Sequence, residues 1–147
     1  MTPGPRAPSL LLVKPAGADC NFRCDYCFYL DAEARRGVPR RRMSDEVLER
    51  LIASYLALEL PVHAFCWQGG EPTLMGVDFF RRVTELQERH GRPGTVVANS
   101  LQTNAALIDD AFADHLADYR FLVGCSLDGP SRLHDRRRRG AGGGATH

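Results

Sequence analysis

Apolar residues in this chain follow two alternating rhythms. Ser9 to Lys14 (SLLLVK) is a short unbroken apolar run with the length of a buried strand. After Ser44 the rhythm changes, and Val47, Leu48, Leu51, Ile52, Tyr55 and Leu56 recur at helical spacing. Ser44 is placed to cap that helix, Asp45 and Glu46 suit its first turn, and Pro61 closes the segment. His63 to Trp67 predicts a second strand, followed by a Gly-Gly loop. Phe79, Phe80, Val83 and Leu86 mark a second amphipathic helix that stops at Gly91. Thr95 to Leu101, rich in β-branched residues, predicts a third strand. Asp109 is placed to cap a third helix running through Tyr119, and Phe121 to Ser126 predicts a fourth strand. Strands alternating with helices in this way predict an α/β fold of parallel βαβ units with right-handed crossovers. The tail from Arg136 to His147, an arginine run and then a Gly/Ala stretch, is expected to be flexible, as are residues 1–8.

Composition narrows the class. A hydrophobic fraction of 44% and a charged fraction of 25% suit a globular chain and exclude a disordered or collagen-like one. The 147 residues suit one ordinary domain but are short for a closed eight-stranded α/β barrel, which takes about 250 residues. A net charge of +1 gives no global pull toward nucleic acid or a membrane, and neither is expected as a partner. The apolar run Leu10 to Val13 is too short for a signal-peptide core, and no stretch approaches the roughly 18 apolar residues of a membrane span. A cytoplasmic location is therefore expected. All the basic residues but Lys14 are arginine. Five cysteines, an odd count without a secretion signal, read poorly as a disulfide framework and leave thiols free for metal or catalysis.

The polar and glycine-rich segments are placed with a regularity that the spacing did not force. Cysteines follow the first predicted strand, Gln68-Gly69-Gly70-Glu71-Pro72 the second, Gln102-Thr103-Asn104 the third, and Ser126-Leu127-Asp128-Gly129-Pro130 the fourth. In a parallel α/β barrel such loops all open on the C-terminal face, where active sites lie. Cys20, Cys24 and Cys27 form a C-x3-C-x2-C cluster in one loop. Iron–sulfur clusters are held by closely spaced thiolates of this kind, and three ligands on four irons leave one iron open. Zinc is the rival reading, but a structural zinc takes four closed ligands. The remaining cysteines, Cys66 and Cys125, lie inside predicted strands and read as small buried hydrophobes.

C-x3-C-x2-C with Tyr26 before the last cysteine resembles the signature of the radical S-adenosylmethionine superfamily. The likeness extends through Leu12 to Ala16, Cys27-Phe28-Tyr29, Trp67 to Thr73, Asn99 to Asn104 and Ser126 to Pro130. Together these segments resemble the anaerobic sulfatase maturases, from about Leu10 to Arg139. The resemblance implies a partial TIM-like (β/α) barrel, a [4Fe-4S] cluster on Cys20, Cys24 and Cys27, and S-adenosyl-L-methionine chelated by the open iron. It implies an oxidoreductase that cleaves S-adenosylmethionine reductively. The resulting 5′-deoxyadenosyl radical would oxidise a cysteine or serine of a sulfatase polypeptide to formylglycine, with electrons from a low-potential donor. By the same resemblance Tyr26 lies against the adenine, Gly69 and Gly70 admit the methionine amino group, and Glu71 binds that ammonium. Ser126 and Arg138 take the ribose or carboxylate end. Tyr29, Gln68, Gln102 and Asn104 meet the substrate peptide.

Other features carry plainer readings. Gly69-Gly70 and Asp128-Gly129-Pro130 are also ordinary turn signals. His63, His90 and His115 read as surface or packing residues, and the arginine run as a solvated face. The family's barrel takes about two further strand–helix units, and its later proton-accepting aspartate and auxiliary-cluster cysteines have no counterpart in this sequence. The chain is therefore expected to be an N-terminal portion that binds a cluster poorly and turns over little when isolated. Another peptide-modifying branch of the superfamily, a non-catalytic iron–sulfur electron carrier and a zinc-stabilised module are the competing readings.

Overall fold

The computed structural model describes residues 10–30 and 41–147. The predicted start of the first strand at Ser9 and the expected flexibility of residues 1–8 lie outside the described residues. Within them, strands β1 (Leu11–Val13), β3 (Val62–Trp67), β4 (Val96–Thr103) and β5 (Leu122–Cys125) form a parallel sheet in the order β1-β3-β4-β5. Helices α1 (Asp45–Leu56), α2 (Val77–His90) and α3 (Asp110–Asp118) connect them. This is the alternating α/β plan that the patterning predicts, a partial (β/α) arrangement of four parallel strands.

The core follows from side-chain period. In β3, residues His63, Phe65 and Trp67 point to one face and are fully buried, while Ala64 and Cys66 point to the other. The buried face meets α1 through Leu48, Ile52, Tyr55 and Leu56, and α2 through Phe79, Phe80, Val83 and Leu86. Trp67 stacks on Phe65 and meets Phe79 and Phe80 edge-on. Ser44 caps α1 by accepting the Val47 amide, and Asp109 caps α3 by accepting the Phe112 amide. His63 belongs to the packing: its ring meets Tyr55 edge-on and its Nε2 bonds Leu58 O at 3.0 Å. Along β5 the sheet ends in an open edge, with Leu122 74% and Val123 41% exposed.

Four elements have no counterpart in the patterning. A short 3-10 turn spans Pro72–Met75. Helix α4 spans Ser131–Arg137, and strands β2 (Phe22–Cys24) and β6 (Arg138–Gly140) pair antiparallel in a second sheet. The tail expected to be flexible is therefore structured: Arg138 pairs with Cys24, and Gly140 bonds back to Gly144. Asp135 Oδ1 accepts the backbone amides of Thr146 and His147, each at 2.8 Å. Composition suggested disorder, but the strand partner lies far back along the chain, where local pattern does not report it. Cys66 and Cys125 also differ from expectation, being half-buried and exposed respectively, because Cys125 lies on the open edge. No helix among the described residues is long and apolar enough to cross a membrane.

Candidate active site

β1 ends at Val13, and a tight turn follows, closed by Gly17 N donating to Lys14 O and Asp19 N to Ala16 O. Cys20 comes next, then Cys24 at the end of β2, and Cys27 one turn later, its amide donating to Cys24 O at 3.0 Å. The thiols thus sit on a loop pinned at both ends, by the main sheet and by the β2–β6 pair. Lys14 lies over the rings of Phe28 and Tyr29, 5.8 and 5.2 Å from their centroids, a cation–π clamp on the segment after Cys27.

The Gly-Gly loop after β3 docks directly on this turn. Gly70 N donates to Gly17 O and Glu71 N to Asp19 O, both at 2.8 Å. A Cβ on Gly70 would stand 2.1 Å from Asp19 O and 2.7 Å from two backbone carbons. Glycine is required here by the approach of protein backbone. Gly69 is doubly constrained, by a φ of +121° and by Gly17 O at 2.9 Å from a Cβ.

Glu71 ties three loops together. It is 1% exposed. Its Oε1 accepts from Thr73 N at 3.0 Å and from the hydroxyls of Thr73 and Thr103, each at 2.6 Å. Its Oε2 accepts from Asn104 N at 2.7 Å. One buried carboxylate is thus compensated by four donors. Asn104 then reaches the cysteine loop, donating from Nδ2 to Asn21 Oδ1 at 2.8 Å and toward Cys20 Sγ at 4.0 Å. Ala105 beside it holds a φ of +62°. On β4, Gln102 donates to Ser126 Oγ at 3.0 Å and lies flat over Gly124 of β5, where a Cβ would meet it at 2.3 Å.

These loops enclose one cavity of about 240 Å³. It is lined by Cys20, Cys24 and Cys27, by Tyr26 and Tyr29, by Gln68 to Glu71, by Gln102 and Asn104, and by Ser126 and Arg138. Every residue to which the resemblance gives a role in the site lines this cavity, and Phe28 and Thr103 line it as well. At its rim, Tyr26 donates to Asp128 Oδ2 at 2.5 Å and accepts from an Arg138 Nη at 2.8 Å. The Tyr26 phenol is held above its ordinary range by burial of its hydroxyl end, then by the Asp128 bond, against the pull of Arg138. Arg138 is buried, yet its Nε has no partner.

Burial raises the Cys20 thiol first. The Phe22 amide opposes it, and the charges of Glu71, Cys24 and Cys27 add to it. Cys24 is likewise raised by burial, opposed by Arg138, and raised further by Cys27 and the nearby aspartates. As thiolates, these groups repel one another, so the cavity favours a strongly positive occupant. Among the described residues, no three Cys, His, Asp or Glu side chains converge on a single metal ion. Three thiols lining one cavity are a donor set suited to an iron–sulfur cluster with one iron left open. The unpartnered Arg138 Nε fits an anionic group beside it.

Comparison with known proteins decides the family. The radical SAM superfamily model matches residues 15–145. The chain belongs to the radical SAM superfamily. Among curated relatives, a cysteine-type anaerobic sulfatase-maturating enzyme of Clostridium perfringens is 44% identical over 133 residues, covering 90% of this chain. A serine-type anaerobic sulfatase-maturating enzyme of Bacteroides thetaiotaomicron is 38% identical over 134 residues. The solved structure of native anSMEcpe with bound AdoMet and Cp18Cys peptide superposes with a TM-score of 0.85 at 42% identity, covering 93% of this chain. The chain spans 36% and 32% of the lengths of those two curated relatives and 36% of that solved chain. The parallel sheet of this radical SAM chain matches the corresponding part of that structure's core.

Several residues that shape the site carried no sequence signal of their own. Thr73 and Thr103 serve Glu71, Asn21 receives Asn104, and Asp128, read equally as a turn residue, holds Tyr26 from far along the chain. Each lies inside a segment that the sequence singles out, but as a neighbour and not as a residue given a role.

Proposed function

We propose that Cys20, Cys24 and Cys27 hold a [4Fe-4S] cluster and that S-adenosyl-L-methionine occupies the rest of the cavity. We propose further that the chemistry is that of an anaerobic sulfatase maturase. When bound, the cluster would supply one electron and an open iron for reductive cleavage of S-adenosylmethionine, chemistry that would serve the two-electron oxidation of a sulfatase cysteine or serine to formylglycine by hydrogen abstraction followed by loss of a second electron to an acceptor, the cysteine sulfur leaving as sulfide on hydrolysis. The chain's own residues bind and orient. Tyr26 offers its exposed ring to the adenine. Arg138 turns its free Nε to the carboxylate, and Ser126 stands beside the ribose. Glu71 Oε2, with a single donor, retains a lone pair for the ammonium. Gly69 and Gly70 keep the floor bare of side chains. Tyr29, Gln68, Gln102 and Asn104 face the side from which a peptide enters, and Lys14 keeps Tyr29 in place.

The observation that carries this reading is the convergence of four loops on one cavity lined by three thiols. The maturase branch is supported by the relatives named above. A low-potential electron donor and a sulfatase polypeptide are the partners, and the cytoplasm the expected place of action. The test is anaerobic reconstitution. Loading of the isolated chain should be low, but the iron that binds should come with an equal amount of sulfide and a brown colour. Cys66→Ser with Cys125→Ser should change nothing, and Cys24→Ser should abolish uptake. Iron uptake that needs Cys66 or Cys125 would refute the three-ligand site.

A further inference from the structure

His134 lies close to the cavity without lining it. It sits on α4 and is 3% exposed. Its Nδ1 accepts the Asp128 backbone amide at 3.3 Å, and its Nε2 meets Thr146 Oγ1 at 3.1 Å. Thr146 Oγ1 donates onward to Arg138 O at 2.5 Å. From the other side, an Arg138 Nη donates to Tyr26 Oη, and Tyr26 Oη donates to Asp128 Oδ2. The bonds close on themselves: Asp128 to His134, His134 to Thr146, Thr146 to Arg138, Arg138 to Tyr26, Tyr26 to Asp128.

The ring fixes the state of the imidazole. The Asp128 amide can only donate, so Nδ1 must be bare. The Thr146 hydroxyl spends its one proton on the Arg138 carbonyl, so Nε2 must carry the proton it gives to Thr146. Only the neutral Nε2–H tautomer completes every bond. The sheet does not supply this constraint: Asp128 and Tyr26 lie in loops, and Arg138 opens the short strand β6. Without His134, the loop after β5 loses the strut that sets the height of Asp128, and Tyr26 and Arg138 lose their common anchor.

We propose that His134 is a positioning residue of the nucleoside site, holding Tyr26 and Arg138 in their ligand-ready places through this closed ring. The inference rests on reading the cavity as an S-adenosylmethionine site. It assigns work to a side chain that contacts neither thiols nor ligand, and to the tail that supplies Thr146.

The test uses the whole chain, cluster-reconstituted for binding and cluster-free for spectroscopy. His134→Ala should weaken S-adenosylmethionine binding by about fivefold, the fold-change of one neutral hydrogen bond. His134→Asn places an acceptor oxygen near the position of Nδ1 and should recover most of that loss. Asn99→Leu strands Trp67 Nε1 and the Gln87 amide outside the cavity lining, lowers the melting temperature and should leave affinity near wild type. Equal weakening in Asn99→Leu and His134→Ala, or wild-type affinity in His134→Ala, would overturn the proposal. If the wild-type protein binds no S-adenosylmethionine, the functional reading fails and cluster-free NMR decides the ring. The imidazole nitrogens should then report the Nε2–H tautomer, and His134→Ala should shift the Asp128 amide and the Tyr26 ring resonances. An Nδ1–H tautomer, or unmoved Tyr26 resonances, would sink it.

Discussion

Substituting Gly70 by alanine tests whether the glycine loop exists to seat the cysteine turn. The added Cβ would lie 2.1 Å from Asp19 O and 2.7 Å from the carbonyl carbons of Ala18 and Asp19, all backbone atoms that cannot rotate away. An ordinary contact requires the turn to retreat by about 1 Å. The two amide bonds at 2.8 Å, Gly70 N to Gly17 O and Glu71 N to Asp19 O, would then exceed hydrogen-bond range. Losing two net bonds at about 0.5–1.5 kcal/mol each, plus at least about 1 kcal/mol of overpacking, gives roughly 3 kcal/mol. For a chain of this size that lowers the melting temperature by about 6–12 °C. The assay is circular-dichroism melting of the cluster-free protein, with iron content after reconstitution measured in parallel. Gly142→Ala is the control, because nothing lies within 4 Å of its Cβ. Gly70→Ala should melt early and take up little iron, and Gly142→Ala should do neither. If Gly70→Ala melts like wild type, takes up full iron and loses only ligand affinity, the glycine serves the ligand and the docking argument is wrong.

Glu71→Gln should lower the urea midpoint by the equivalent of about 2–3 kcal/mol at unchanged slope, since a neutral amide turns an NH₂ toward donors that now meet a carboxylate; an unchanged midpoint would refute the tie. Asn99→Leu strands Trp67 Nε1 and the Gln87 amide, which now bond Asn99 at 2.9, 3.0 and 2.8 Å. It should cost about 2–4 kcal/mol, read by urea unfolding through Trp67, the sole tryptophan. Asp135 is held below the usual carboxylate range by the Thr146 amide first and the His147 amide second. Its contribution is therefore full above the ordinary carboxylate pKa and is lost as the pH falls through the depressed value. On acidification the Thr146 and His147 amide resonances should shift together, and Asp135→Asn should abolish that transition.

What the sequence disclosed follows from the range of the interactions involved. Helix caps are local, so Ser44 and Asp109 were legible from a few neighbouring residues. The alternation of His63, Phe65 and Trp67 announced a strand because strand period is written in consecutive positions. The loops converged as expected because parallel βαβ connectivity forces it, whatever the loops contain. The β2–β6 pair was invisible because three-residue strands have no period to show and their pairing joins opposite ends of the chain. An arginine run suggested solvent, yet Arg138 is buried because its backbone pairs with Cys24 and its side chain reaches Tyr26. The Gly-Gly pair was noticed for a ligand, whereas the structure shows a nearer reason in the backbone of Asp19. Compositional reasoning ranks residues by what they could bind and is blind to which neighbour reaches them first.

Lys14 gives the chain an unusual chemical property. It carries the only side-chain primary amine among nineteen basic residues, and it is exposed beside two residues that line the cavity. An acylating reagent applied to the folded protein has one internal target, and that target sits over Phe28 and Tyr29. Acylation would erase the cation that clamps those rings, so a single covalent label both marks this place and loosens it. The extent of labelling then becomes a footprint of anything resting there, obtained without altering one codon.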